Sequence, residues 1–139
     1  MQALVVQPLG GDRYAVQIRG HEVIVDQPVD AGGTDLGPTP VELFVASLAS
    51  CVAHYAGSFL ARHHICRKGL RVDSSWLMSQ DRPARVASVT LRITPPDGLP
   101  PERLPALLAV ARACTVHNTL ELAPHVRIEV AEANVVAPV

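Results

Sequence analysis

Two cysteines stand where thiol chemistry could be done. Cys51 lies in the apolar run from Val41 to Leu60, in line with Ser47, His54 and Ser58 at spacings of four, three and four residues. On a helix that spacing stacks all four on one face. Cys114 heads a second group, with His117, Asn118 and Glu121 on the same helical spacing. A cysteine at a helix start meets unpaired amides and the positive end of the helix dipole, which favour thiolate. Two sequence-distant cysteines, each on a polar helix face, suit two-step redox chemistry. One thiolate attacks an O–O bond and becomes a sulfenic acid, and the second condenses with it to a disulfide.

Blander readings compete at each position. Ser47, Cys51 and Ser58 could mark close helix packing through small residues, with hydroxyls bonded back to the preceding turn. Cys114 could be a capping or core cysteine beside a solvated His117. The pairs Cys51-x-x-His54 and Cys114-x-x-His117 could together make a tetrahedral zinc site, although neither has the tight knuckle loop of structural zinc. His63, His64 and Cys66 sit at an expected helix end and read as cap and surface. The glycine-rich stretch 32–37 matches no phosphate-binding pattern.

A mid-helix Cys51 gains nothing from the helix dipole, so it needs a nearby cation or hydrogen-bond donor to ionise at neutral pH. Arg19, at the end of an early strand, is the first candidate and Arg13 the second; the histidines are weaker ones. Glu42, nine residues before Cys51, could hold such an arginine, or could simply complete a capping box.

The elements that must position these groups are legible in outline. Strands are expected at Leu4–Val6, Tyr14–Ile18 and Glu22–Asp26, the first two joined through Gly10-Gly11-Asp12. A loop rich in glycine and proline ends at Thr39, a plausible N-cap, followed by Pro40 at the first helical position and Glu42 at the third. The helix so begun should run to about His63, apolar on nearly every face and therefore buried on most sides. A long hairpin follows, Leu70–Met78 and Ala84–Thr94, joined by residues 79–83. Short helices are expected over about 101–112 and 116–122, and a closing strand over His125–Ala131. That order predicts a single α+β domain over residues 1–139, mostly antiparallel sheet packed on a long central helix and shorter helices.

Composition narrows the function classes. With 48% hydrophobic and 18% charged residues the chain has enough apolar material for a core. Its net charge of −1 carries no block of like sign, and aromatics are only 4%, which argues against nucleic acid as a partner. The apolar run 41–60 approaches membrane-span length, but Ser47, Ser50, Cys51, His54 and Ser58 interrupt it, so a buried helix and no membrane partner are expected. Three cysteines are too few for a disulfide-stapled secreted scaffold, and no leader pattern opens the chain, so a cytoplasmic location is expected.

Residues 37–44 (Gly-Pro-Thr-Pro-Val-Glu-Leu-Phe), followed by Ala49-Ser50-Cys51, resemble the first signature of the OsmC/Ohr family, and residues 114–120 (Cys-Thr-Val-His-Asn-Thr-Leu) resemble the second. The two cysteines lie 63 positions apart, close to the family separation. The resemblance implies an intertwined α+β homodimer with its active sites at the subunit interface, reducing organic hydroperoxides or, in some branches, hydrogen peroxide, without metal or organic cofactor. It places Cys51 at the peroxidatic position and Cys114 at the resolving one, with the disulfide re-reduced by a dithiol, often a lipoyl group on another protein. Val41 stands where the Ohr branch has an acid, Thr115 where a proline usually follows the second cysteine, and His117 where serine is frequent. Those departures point to a divergent OsmC-like branch. A redox-sensing or ligand-binding module on the same fold is the non-enzymatic alternative.

Overall fold

The computed structural model describes residues 1–132. Strands β1 (Val5–Gly10), β2 (Arg13–Ile18) and β3 (His21–Val25) form an antiparallel sheet in that order. The β1–β2 turn uses Gly10 and Gly11, both at positive φ. Pro8 lies in β1, where an edge strand tolerates its missing donor.

After β3 the chain is organised by one carboxylate. Asp26 has no exposed surface. It accepts from the Thr34 hydroxyl at 2.6 Å and from the amides of Gln27 at 2.7 Å and Leu36 at 3.0 Å. The Thr34 hydroxyl foremost, with those amides, holds the Asp26 carboxyl down at about 2, although burial pushes the other way. The loop wraps so closely that a Cβ on Gly33 would fall 2.0 Å from the Gln27 carbonyl oxygen, and one on Gly37 would fall 2.1 Å from that of Ile24. No other residue fits those two places.

The loop delivers Thr39 as the N-cap of α1 (Pro40–Arg62). The expected capping box is complete: the Glu42 amide donates to Thr39 Oγ1 at 3.1 Å, and the Thr39 amide donates to Glu42 Oε1 at 3.0 Å. At the other end His63 caps the helix and His64 takes the left-handed conformation, φ 55°. The amides of His64 and Ile65 then donate back to Ala61 and Leu60 at 3.1 and 2.9 Å, a Schellman ending with histidine in the place glycine usually takes. Helix α1 is long and apolar enough to cross a membrane, yet Val52, Ala56, Phe59 and Leu60 are buried within the protein.

Strands β4 (Arg71–Met78) and β5 (Val86–Thr94) form the long hairpin and pack on α1. A 3-10 turn (Pro101–Arg103) leads into α2 (Leu104–Arg112), and α3 (Thr115–Glu121) follows within three residues. Helix α1 collects two apolar clusters along its length. One gathers Ala56, Phe59, Leu60, Leu99 and Leu107; the other gathers Leu48, Val52, Ala111 and Cys114.

One expectation is corrected. The stretch His125–Ala131 joins neither sheet. Its alternation is real, but Val126, Ile128 and Val130 are 72%, 90% and 95% exposed, because one chain offers that face no edge to pair with and no core to cover it. The expected α+β architecture is present, its antiparallel strands divided between two sheets: β1–β3 contact mainly each other, whereas β4 and β5 lie on α1.

Candidate active site

The two thiols come from elements that chain-local signals put in place. Cys51 sits half-buried in the middle of α1, and its side chain packs against the cluster that contains Cys114. Cys114 is the N-cap of α3 and is fully buried. Its Sγ accepts from the His117 amide at 3.3 Å, the sulfur counterpart of a serine cap. Both are free thiols, and they lie close enough for the Cys51 side chain to act on the ionisation of Cys114.

The expected thiolate at the start of α3 is not what the surroundings favour. Burial above all, and then the Cys51 thiol, push Cys114 above its ordinary value, while the His117 amide pulls it down without prevailing. Desolvation of a sulfur anion outweighs the amides of His117 and Val116 and the dipole of a seven-residue helix. Cys114 is therefore a neutral thiol at neutral pH.

The helices carrying the thiols are pinned together beside them. The Tyr55 hydroxyl, one turn along α1 from Cys51, meets Thr115 Oγ1 at 2.8 Å. His54 is exposed and stands edge-on to the Tyr55 ring. The Ser47 hydroxyl donates to the Phe44 carbonyl at 2.7 Å, as the packing reading expects. The ring of His117 is held between the Arg112 carbonyl at 2.6 Å from Nδ1 and the Glu121 carboxylate at 3.3 Å from Nε2. With His117 so engaged, and with no three His, Cys, Asp or Glu groups converging among the described residues, the four-ligand zinc set is not assembled within one chain.

Arg19 occupies the β2–β3 turn at φ 55°, exposed, and makes no ion pair with Glu42 among the described residues. Arg13 bonds the Gly10 carbonyl in its own hairpin. Glu42 is spent on the capping box, whose Thr39 amide lowers its pKa. The cation nearest in kind is one that sequence reasoning missed. Arg112 lines a cleft of about 300 Å³ with Leu48, Val52, Leu91, Leu108 and His117. Leu48, Val52 and Ala111 are shared between that cleft and the Cys114 cluster. Tyr55 was missed too, although a position four after Cys51 was a spacing signal, and Thr115 enters the sequence reading only as a departure from the second signature.

A profile of the OsmC-like protein family matches residues 32–129, which hold both cysteines and helices α1, α2 and α3. The chain belongs to the OsmC-like family. Among solved structures of similar fold is a protein of Psychrobacter arcticus 273-4 whose name refers to osmotic stress induction and a detoxification response. It is 27% identical, with a TM-score of 0.76 over 86% of this chain and 88% of that one. The organic hydroperoxide resistance protein OsmC of Legionella pneumophila follows at 19% identity and TM-score 0.64, covering 86% and 90%. OhrB of Bacillus subtilis, an organic hydroperoxide resistance protein, stands at 20% and 0.60, covering 84% and 89%. These identities mark a divergent member of the OsmC-like family. No curated protein matches the sequence.

Proposed function

We propose that the protein is a thiol peroxidase acting on organic hydroperoxides. The observation that carries this reading is the meeting of Cys51 with Cys114 in one apolar cluster, from elements 63 positions apart in sequence. The Cys51 thiolate attacks the O–O bond; an S–O bond forms, the O–O bond breaks, and the alkoxide leaves and takes up a proton as alcohol. Cys51 is then a sulfenic acid. The neutral Cys114 thiol condenses with it, forming the disulfide and releasing water, and a dithiol such as a lipoyl group returns both cysteines to thiols while itself becoming a disulfide.

Each side chain suits its step. Cys51 is half-buried and reachable, whereas Cys114 is enclosed and protonated, which suits a resolving thiol rather than an attacking one. The adjoining apolar cleft, with Arg112 and His117 among its lining, supports an alkyl hydroperoxide over hydrogen peroxide. Dimerisation belongs to the same proposal. A bare β1–β3 sheet and an unpaired apolar segment at 126–130 are what an intertwined partner would cover, and such a partner is the natural source of a cation such as Arg19 at Cys51.

Turnover of cumene hydroperoxide with a dithiol reductant tests this. Cys51→Ser should abolish it, since a hydroxyl is not appreciably ionised at neutral pH. Cys114→Ser should consume one equivalent of peroxide and stall. Normal turnover by Cys51→Ser would overturn the assignment.

A further inference from the structure

We infer that Tyr55 and Thr115 together are positioning residues for disulfide closure, acting by holding Cys114 against Cys51. The inference rests on the proposal that these two thiols form a disulfide.

The geometry is local to both sulfurs. Tyr55 follows Cys51 by four residues on α1, so the two project from the same face one turn apart. Thr115 follows Cys114 directly and is the first residue of α3. The 2.8 Å bond between their hydroxyls joins α1 to α3 across 60 residues of sequence. Among the described residues it is the hydroxyl–hydroxyl bond that spans those helices; apart from the meeting of the two thiols, the junction is packed by apolar groups, with the Tyr55 ring itself on the Cys114 cluster. Apolar contacts tolerate sliding, while a hydroxyl pair at this distance fixes register.

Closure needs that register. Cys114 Sγ must reach the sulfur of the Cys51 sulfenic acid; the S–S bond forms, the S–O bond breaks, and the thiol proton leaves with the hydroxyl as water. Two sulfurs bond only at about 2.05 Å with a narrow range of Cβ separations. Cys114 is also held as a cap by the His117 amide, so its approach is governed by where the whole start of α3 sits. Tyr55 places that start through Thr115.

Equilibration with glutathione redox buffers reads this without any peroxide. In a Cys66→Ser background, which removes the exposed third thiol, the fraction of Cys51–Cys114 disulfide is measured by mass spectrometry after alkylation. Tyr55→Phe and Thr115→Val should each lower the effective concentration of the thiol pair about five-fold, the order expected for one neutral hydrogen bond. The double variant should lose no more than either single, and Thr115→Ser should restore the wild-type value. Dimedone trapping after one equivalent of peroxide should show Cys51 oxidised at an unchanged rate in Tyr55→Phe, which separates positioning from general loosening of the fold. An unchanged disulfide equilibrium in Tyr55→Phe, additive losses in the double variant, or no rescue by Thr115→Ser would overturn the inference. No Cys51–Cys114 disulfide in the parent at any potential would overturn the site assignment and this inference with it.

Discussion

At the scale of single residues, Cys114 is pulled in two directions. The amide of His117 stabilises its anion, and enclosure among Leu48, Val52 and Ala111 destabilises it more. The folded value lies above the ordinary 9.0, so the thiol form is favoured in the native state. Stability from this source is intact below that ordinary value and is lost as pH rises beyond it, because the unfolded chain ionises first. Chemical unfolding followed on the alkaline side should show the loss, and Cys114→Ala should lessen it. Asp26 acts on the other limb. Its native carboxyl lies at about 2 against an ordinary 3.8, so the stability it supplies is present above pH 3.8 and drains away as pH falls towards 2. An Asp26→Asn variant should flatten the acid limb of the stability profile and lower stability at neutral pH. Alkylation under native conditions should label exposed Cys66 first and Cys114 last.

At the scale of elements, α1 is read correctly from sequence because its ends are decided by neighbours in the chain. Thr39, Pro40 and Glu42 close the capping box within four residues, and Thr39→Ala should cost about 1 kcal/mol in denaturant unfolding. The other end stores a removable strain. His64 holds φ 55° where glycine would sit without penalty, so His64→Gly should raise stability by about 0.5 to 1 kcal/mol. The α3 cap was legible for the same reason of proximity, since Cys114 precedes a short run of helical spacing. What local pattern could not decide was burial. The thiol's ionisation turns on Leu48, Val52 and Ala111 arriving from other helices, which no spacing around Cys114 announces. The closing strand failed for a related reason: His125–Ala131 has strand alternation, but a strand exists only where an edge is offered. Arg19 is a strand-end residue whose distance from Cys51 depends on how a whole sheet is placed.

At the scale of the molecule, the chain divides its apolar surface unevenly. Helix α1 has its clusters, β4–β5 covers one side, and the β1–β3 sheet stands largely apart, with every residue of β1 exposed. If the proposed partner covers these surfaces, light scattering should give twice the chain mass, and Ile128→Asp combined with Val130→Asp should shift it towards the single chain. Peroxide turnover should fall with the loss of the dimer if the cation beside Cys51 comes from the partner.

If the proposed partner covers the first sheet, the separation of that sheet from the α1 core makes protein concentration a stability variable. A segment held mainly by a second copy is protected only to the extent that association is populated. Amide hydrogens of residues 5–25 should therefore exchange more slowly as the solution is made more concentrated, while those around Val52 to Leu60 keep one rate throughout. On that proposal, proteolysis at the amino-terminal end should likewise slow as the chain is made more abundant.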